Sequence, residues 1–209
     1  MNIEVKNSIK LVDYIESMQI LEKRVKDVLS GKNDELLWIL EHNTVYTAGT
    51  STNENDLLDK NLQIVKTNRG GKYTLHSPGQ KVIYFVLDLN KRGKDIRKLV
   101  SKIEKCIMDI LKEYKIRSYT DKKNIGIWVG EKNNSEKIAA IGIRVKKWIA
   151  YHGFALNVSN DLSKYKGIIP CGIRDKKVTS LEKMGINNYN NIEKVIIEKF
   201  LNTFLQEYS

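Results

Sequence analysis

Lys137-Ile138-Ala139-Ala140-Ile141-Gly142-Ile143-Arg144-Val145 and Trp148-Ile149-Ala150-Tyr151-His152-Gly153-Phe154-Ala155-Leu156-Asn157-Val158 are two apolar runs separated by Lys146-Lys147. β-Branched and aromatic residues interrupted by glycine suit a pleated surface better than a helix, and a two-residue polar break reads as a hairpin turn. The pair is therefore expected to lie antiparallel. Residues 125–129, followed by a turn at Trp128-Val129-Gly130-Glu131, add a third strand. Residues 81–89 form a longer one, too apolar to face water on both sides.

Outward from this sheet, helical spacing takes over. Ser8 caps a first helix on Leu11, Val12, Ile15, Met18, Leu21, Val25 and Val28, with Gly31 just past its end. Residues 95–114 form a second, burying Ile96, Leu99, Val100, Ile103, Cys106, Ile107, Ile110 and Leu111. Shorter strands are expected at 36–40, 45–47 and 62–66, a loop at 51–56, an irregular stretch at 159–177, a short helix at 179–184 and a last helix at 192–206. No linker, repeat or low-complexity tract divides the chain. The expectation is an α+β fold, one domain over residues 1–209, with a mostly antiparallel mixed sheet and packed helices.

The 209 residues are 41% hydrophobic and 29% charged, which excludes a disordered chain or a disulfide scaffold. Thirty-six Lys and Arg against 25 Asp and Glu leave +11, mostly as Lys. That charge makes a nucleic-acid partner the first alternative, although there is no zinc-finger spacing, basic homeodomain-like helix or RNP-like aromatic motif. The N-terminal residues show no signal peptide and no stretch reaches membrane-spanning length, so a cytoplasmic protein with no membrane partner is expected.

Two cysteines are present. Cys106 has helical spacing with Ile103, Ile107 and Ile110 and reads as a small hydrophobe. Cys171 lies in Ile168-Ile169-Pro170-Cys171-Gly172, where proline fixes the approach and glycine admits a substrate, so its thiol is a candidate nucleophile. Such a thiol needs a partner. His42, His76 and His152 are candidates, as is Lys137, which opens an uncharged run; an ammonium buried there gives up its proton more readily. The segment Arg69-Gly70-Gly71-Lys72-Tyr73-Thr74-Leu75-His76-Ser77-Pro78-Gly79-Gln80 fits neither a P-loop nor GxGxxG, yet suits a pocket wall.

These pieces together resemble a known family. Glu41-His42-x-x-Val45-Tyr46-Thr47-x-Gly49, Arg69-Gly70-Gly71-x-x-Thr74-x-His76-x-Pro78-Gly79-Gln80, Lys137-Ile138-Ala139-x-Ile141-Gly142, His152-Gly153-Phe154-Ala155-Leu156-Asn157-Val158, Pro170-Cys171-Gly172 and Val178-Thr179-Ser180-Leu181 stand in the order and spacing of the lipoyl(octanoyl) transferases. Departures are Lys72 where the family usually has Gln, Ser77 where it has Gly, and Asn43-Thr44 where it often has Pro-Pro.

The resemblance implies the fold of the biotin and lipoate protein ligases. It implies transfer of an octanoyl or lipoyl group from acyl carrier protein to a lysine of the lipoyl domains of 2-oxoacid dehydrogenases, or of the glycine-cleavage H protein, by a monomer without metal or cofactor. Cys171 would be the acyl-thioester nucleophile and Lys137 its partner. Arg69, Gly70, Gly71, Lys72, Tyr73, Thr74, Leu75, His76, Ala140, Ile141, Gly142, Gly153, Phe154 and Ala155 would contact substrate. Thioester exchange is nearly isoenergetic, so this chemistry needs no ATP. Rivals of the same fold are an ATP-dependent lipoate or biotin ligase and an octanoyl amidotransferase. The resemblance also recasts the charge as a docking patch for acidic carrier proteins at Arg144, Lys146, Lys147, Arg174, Lys176 and Lys177.

Overall fold

The computed structural model describes residues 2–169 and 177–205; Pro170, Cys171, Gly172, Arg174 and Lys176 lie outside them. Strand β1 (Ile3–Asn7) precedes helix α1 (Tyr14–Leu29), followed by β2 (Glu35–Leu40), β3 (Val45–Ala48), β4 (Ile64–Lys66), β5 (Tyr73–His76), β6 (Gln80–Asp88) and α2 (Ile96–Glu113). Then come β7 (Ser118–Thr120), β8 (Ile127–Val129), β9 (Glu136–Lys146), β10 (Ile149–Asn157), β11 (Lys177–Val178) and α3 (Ile192–Leu205). The main sheet runs β1-β2-β6-β10-β9-β8-β7, with β11 also on β9; a smaller sheet runs β4-β3-β5. Pairing in the main sheet is antiparallel except for β1 with β2 and β11 with β9.

Central strands are hydrophobic on both faces because both faces are covered. Leu36, Trp38, Leu40, Val82, Tyr84 and Val86 pack with Leu21, Val25 and Val28 of α1. On the other face Leu37, Ile39, Ile83, Phe85 and Leu87 meet Ile103, Ile107 and Ile110 of α2 and Ile196, Phe200 and Phe204 of α3. Cys106 sits fully buried in that second layer, where burial pushes its thiol up to about 12. It is the small hydrophobe expected of it.

The expected hairpin forms, and its turn is Lys147-Trp148, with φ of 49° and 64°. Two positive φ values are those of a type I′ turn, here made without Asn or Gly. Several boundaries differ from expectation. Residues 3–7 extend along β2, and the cap of α1 is Asp13, whose carboxylate accepts the Glu16 N–H at 2.9 Å. Ser8 instead accepts the Trp38 indole N–H at 2.9 Å. Leu11 and Ile15 are consequently exposed. The short helix expected at 179–184 is a turn, with the Met184 N–H on Ser180 O at 3.1 Å. Among the described residues no helix is long and apolar enough to cross a membrane.

One buried ion pair ties the start of β2 to the end of β6. The Arg92 guanidinium holds both oxygens of Glu35, each side chain at most 4% exposed, and Glu35 also accepts the Asp88 N–H at 2.6 Å. Replacing Arg92 alone by Met strands a carboxylate in the interior and is expected to cost about 3–5 kcal/mol in chemical denaturation; adding Glu35→Leu should recover most of that loss.

Candidate active site

Three strands of the main sheet expose a trough toward α1. Tyr84, Gly153 and Gly142 form one cross-strand row, and Val82, Ala155 and Ala140 form the next. Glycine and alanine leave depth there, and the segment 69–76 roofs it. Arg69, Gly71, Lys72, Tyr73, Thr74, His76, Tyr14 and His152 complete a largely apolar cavity of about 60 Å³. Gly153 serves packing as well, because a Cβ there would lie 1.9 Å from the Ile83 carbonyl oxygen.

Arg69 shapes the roof. It is buried, and its guanidinium donates to the Thr47 carbonyl at 3.0 Å, the Thr47 hydroxyl at 2.7 Å, the Lys72 carbonyl at 2.8 Å and the Gly70 carbonyl at 3.0 Å. These bonds fasten Gly70-Gly71-Lys72 to β3. The Gly70 N–H reaches the Ile143 carbonyl at 3.3 Å, on the part of β9 that β8 leaves unpaired.

Three histidines support the chamber in neutral form. His42 Nδ1–H donates to Val12 O at 2.7 Å, so its Nε2 accepts the Tyr84 hydroxyl at 2.9 Å. Gln80 spends its amide N–H groups on Leu75 O, Asn157 and Tyr165, which leaves its oxygen to accept His76 Nδ1–H at 2.7 Å. Burial drives the pKa of His76 down to about 3, helped by the neighbouring His42; burial and the Arg69 charge bring His152 to about 3 as well. No charge from these rings opposes an apolar ligand.

Lys137, 4% exposed, opens β9 beyond the alanine row. Its Nζ donates to Ile125 O at 2.9 Å and lies 4.6 Å from the Trp128 ring centroid. Beside it runs a second, larger apolar groove of about 570 Å³, lined by Ile96, Val100, Lys123, Asn124, Ile125, Ile143 and Val145. Groove and chamber share Gly71, Lys72, Ile141 and Gly142. The amine is tied to the groove through Ile125, whose carbonyl it holds.

Of the residues expected to contact substrate, twelve line the chamber; Gly70 lines only the groove, and Leu75 is fully buried against Ala48 and Tyr73. Tyr14, Val82 and Tyr84 belong to the chamber without any sequence motif that marks them. Cys171 lies outside the described residues. Of the expected basic docking patch, Arg174 and Lys176 lie outside the described residues, and Lys177 is apart from Lys146: it pairs with Glu136 at one end of β9, whereas Lys146 closes the other, about 33 Å away along the strand.

Residues 13–209 match the model of the lipoyl protein ligase A/B catalytic domain. An octanoyltransferase of Anaplasma phagocytophilum (strain HZ) is 45% identical over 210 residues, covering 100% of this chain and 98% of its own. One from Wolbachia pipientis subsp. Culex pipiens (strain wPip) is 46% identical over 178 residues, 85% of this chain and 87% of its own. Among solved structures, a lipoate-protein ligase A bound with ATP has a TM-score of 0.70 at 14% identity, covering 96% of this chain and 85% of its own. A bipartite lipoate protein ligase of Thermoplasma acidophilum has 0.71 at 12% identity, over 97% and 84%. At such identities the structural likeness is one of fold.

The neutral rings make stability depend on acidity. An unfolded imidazole binds its proton near pH 6.5, whereas His76 and His152 in the fold take none until about 3. Between those values the unfolded chain holds more protons, so stability falls as pH falls, by about 1.4 kcal/mol per pH unit for each ring. Urea midpoints should drop between about pH 7 and about pH 5, and less steeply in His76→Asn. Equal slopes in the two proteins would show that His76 does not carry this effect.

Proposed function

The chain belongs to the lipoyl protein ligase A/B catalytic domain family, and within it we propose an octanoyltransferase that loads an acyl group on Cys171 and passes it to a lysine of a lipoyl domain. The observation that carries this reading is the identity of 42–46% to octanoyltransferases across 85–100% of the chain. The chamber supports it from below. A slot of alanine, glycine, Val82 and neutral histidines receives a saturated chain, and each buried methylene contributes about 0.8 kcal/mol. The donor is octanoyl acyl carrier protein, the acceptors are lipoyl domains including the glycine-cleavage H protein, and the setting is cytoplasmic.

The chemistry is two acyl exchanges. The Cys171 thiolate attacks the donor carbonyl; the new S–C bond forms, the donor S–C bond breaks, and the carrier leaves as a thiolate that takes a proton. The ε-amine of the acceptor lysine then attacks the Cys171 thioester, forming the amide N–C bond, releasing the cysteine sulfur and losing a proton to the Lys137 amine. Ile125 O and the Trp128 ring restrict where that amine points. The groove beside Ile125 gives the donor arm and the acceptor lysine a route to the same atoms.

Intact-mass analysis after mixing with octanoyl carrier protein should show one octanoyl adduct that hydroxylamine removes. Cys171→Ala should abolish it, and Lys137→Met should slow transfer to the lipoyl domain by about 10²- to 10⁴-fold. Full transfer by Cys171→Ala would overturn the reading.

A further inference from the structure

His152 departs from the alternation of the strand that carries it, although its pairing with both neighbours is unbroken. Alternation along β10 places Ala150 and Phe154 against α2 and α3, and Tyr151 and Ala155 toward α1. His152 should follow Ala150, yet its φ is 68°, and its ring lines the α1-side chamber, stacked on Tyr151 with centroids 4.7 Å apart. A left-handed residue inside a strand is costly for any side chain but glycine. The cost places a polar ring, 2% exposed, in an apolar slot.

Hydrogen bonds fix which nitrogen it offers. Glu22 accepts the Asn68 amide N–H at 3.1 Å, so Asn68 Oδ1 faces His152 and accepts its Nε2–H at 2.8 Å. Nδ1 therefore carries a lone pair, and it has no partner among the described residues. Its place along the slot is set by register. His152 stands opposite Ile143, six residues up β9 from Lys137, and about 10 Å along β10 from Ala155. It forms the end remote from the amine.

We propose that His152 is the stop that limits acyl chain length: its Nδ1 holds a water molecule at the closed end of the chamber, which a longer chain would have to evict. This rests on the octanoyltransferase reading. An octanoyl tail stops short of the water, whereas a dodecanoyl tail leaves a buried acceptor unpaired, a handicap of about tenfold to a hundredfold.

The test compares kcat/KM for octanoyl and dodecanoyl carrier protein in the full chain and in His152→Leu and His152→Asn. Asn tolerates positive φ and keeps an acceptor oxygen. The expected result is a rise of ten- to a hundredfold in the dodecanoyl-to-octanoyl ratio for His152→Leu, and little change for His152→Asn. An unchanged ratio in a folded His152→Leu overturns the inference and leaves the function standing. Failure of the parent chain to transfer octanoyl overturns both. Should His152→Leu not fold, ¹⁵N spectra of the parent decide: an unprotonated Nδ1 supports the stop, and a protonated one overturns it.

Discussion

The Arg69 guanidinium spends its hydrogen bonds on four acceptors, two on Thr47 and one each on Gly70 and Lys72. Backbone carbonyls in a glycine-bearing turn have no ladder of their own and need donors from elsewhere. The N–H groups of residues 49–51 bond to Lys72 O, Arg69 O and Gly71 O, and Arg69 adds its own donors to Gly70 O and Lys72 O, which fastens residues 69–72 over the sheet. Its aliphatic stem fits because Gly142 has no side chain; a Cβ there would come within 3.3 Å of Arg69 Cδ. The same cation adds to the burial that keeps His76 and His152 neutral. The roof of the chamber rests on this side chain, and its charge reinforces the neutral state of the two rings.

A chamber of that kind separates two tasks. On the proposed reading the acyl chain is held by apolar surface and by the absence of charge, which gives no handle on the reacting carbonyl. In the proposed reaction the chemistry falls at the other end, toward Lys137, which is oriented by a carbonyl and an indole ring. Gly71, Lys72, Ile141 and Gly142 line both volumes. Small residues here do double duty, since Gly153 is also demanded by the approach of the Ile83 carbonyl.

Much of this could be read from sequence where a local rule governs. The alternation of 137–145 and 148–158, the helical spacing of 95–114 and the lone Cys106 among isoleucines each follow from a single periodicity, and the elements stand close to where those patterns put them. What escaped depends on partners far along the chain. Residues 3–7 are a strand only because β2 offers an edge, and that pairing moves the helix cap from Ser8 to Asp13. Tyr14, Val82 and Tyr84 reach the chamber through packing of α1 on β6. His152 follows strand alternation in sequence and leaves it in space through one left-handed residue. Grouping Lys146 with Lys177 lacks a register: β11 joins β9 at Glu136, the end opposite Lys146.

The fold is shared with ATP-bound ligases, so the account turns on the form in which the acyl group arrives. The direct measurement offers the chain a lipoyl domain with octanoyl carrier protein alone, or with free octanoate, ATP and magnesium, and weighs the acceptor. Octanoylation from the thioester without ATP, and none from the free acid, is the predicted outcome. Octanoylation only from the free acid with ATP would contradict it.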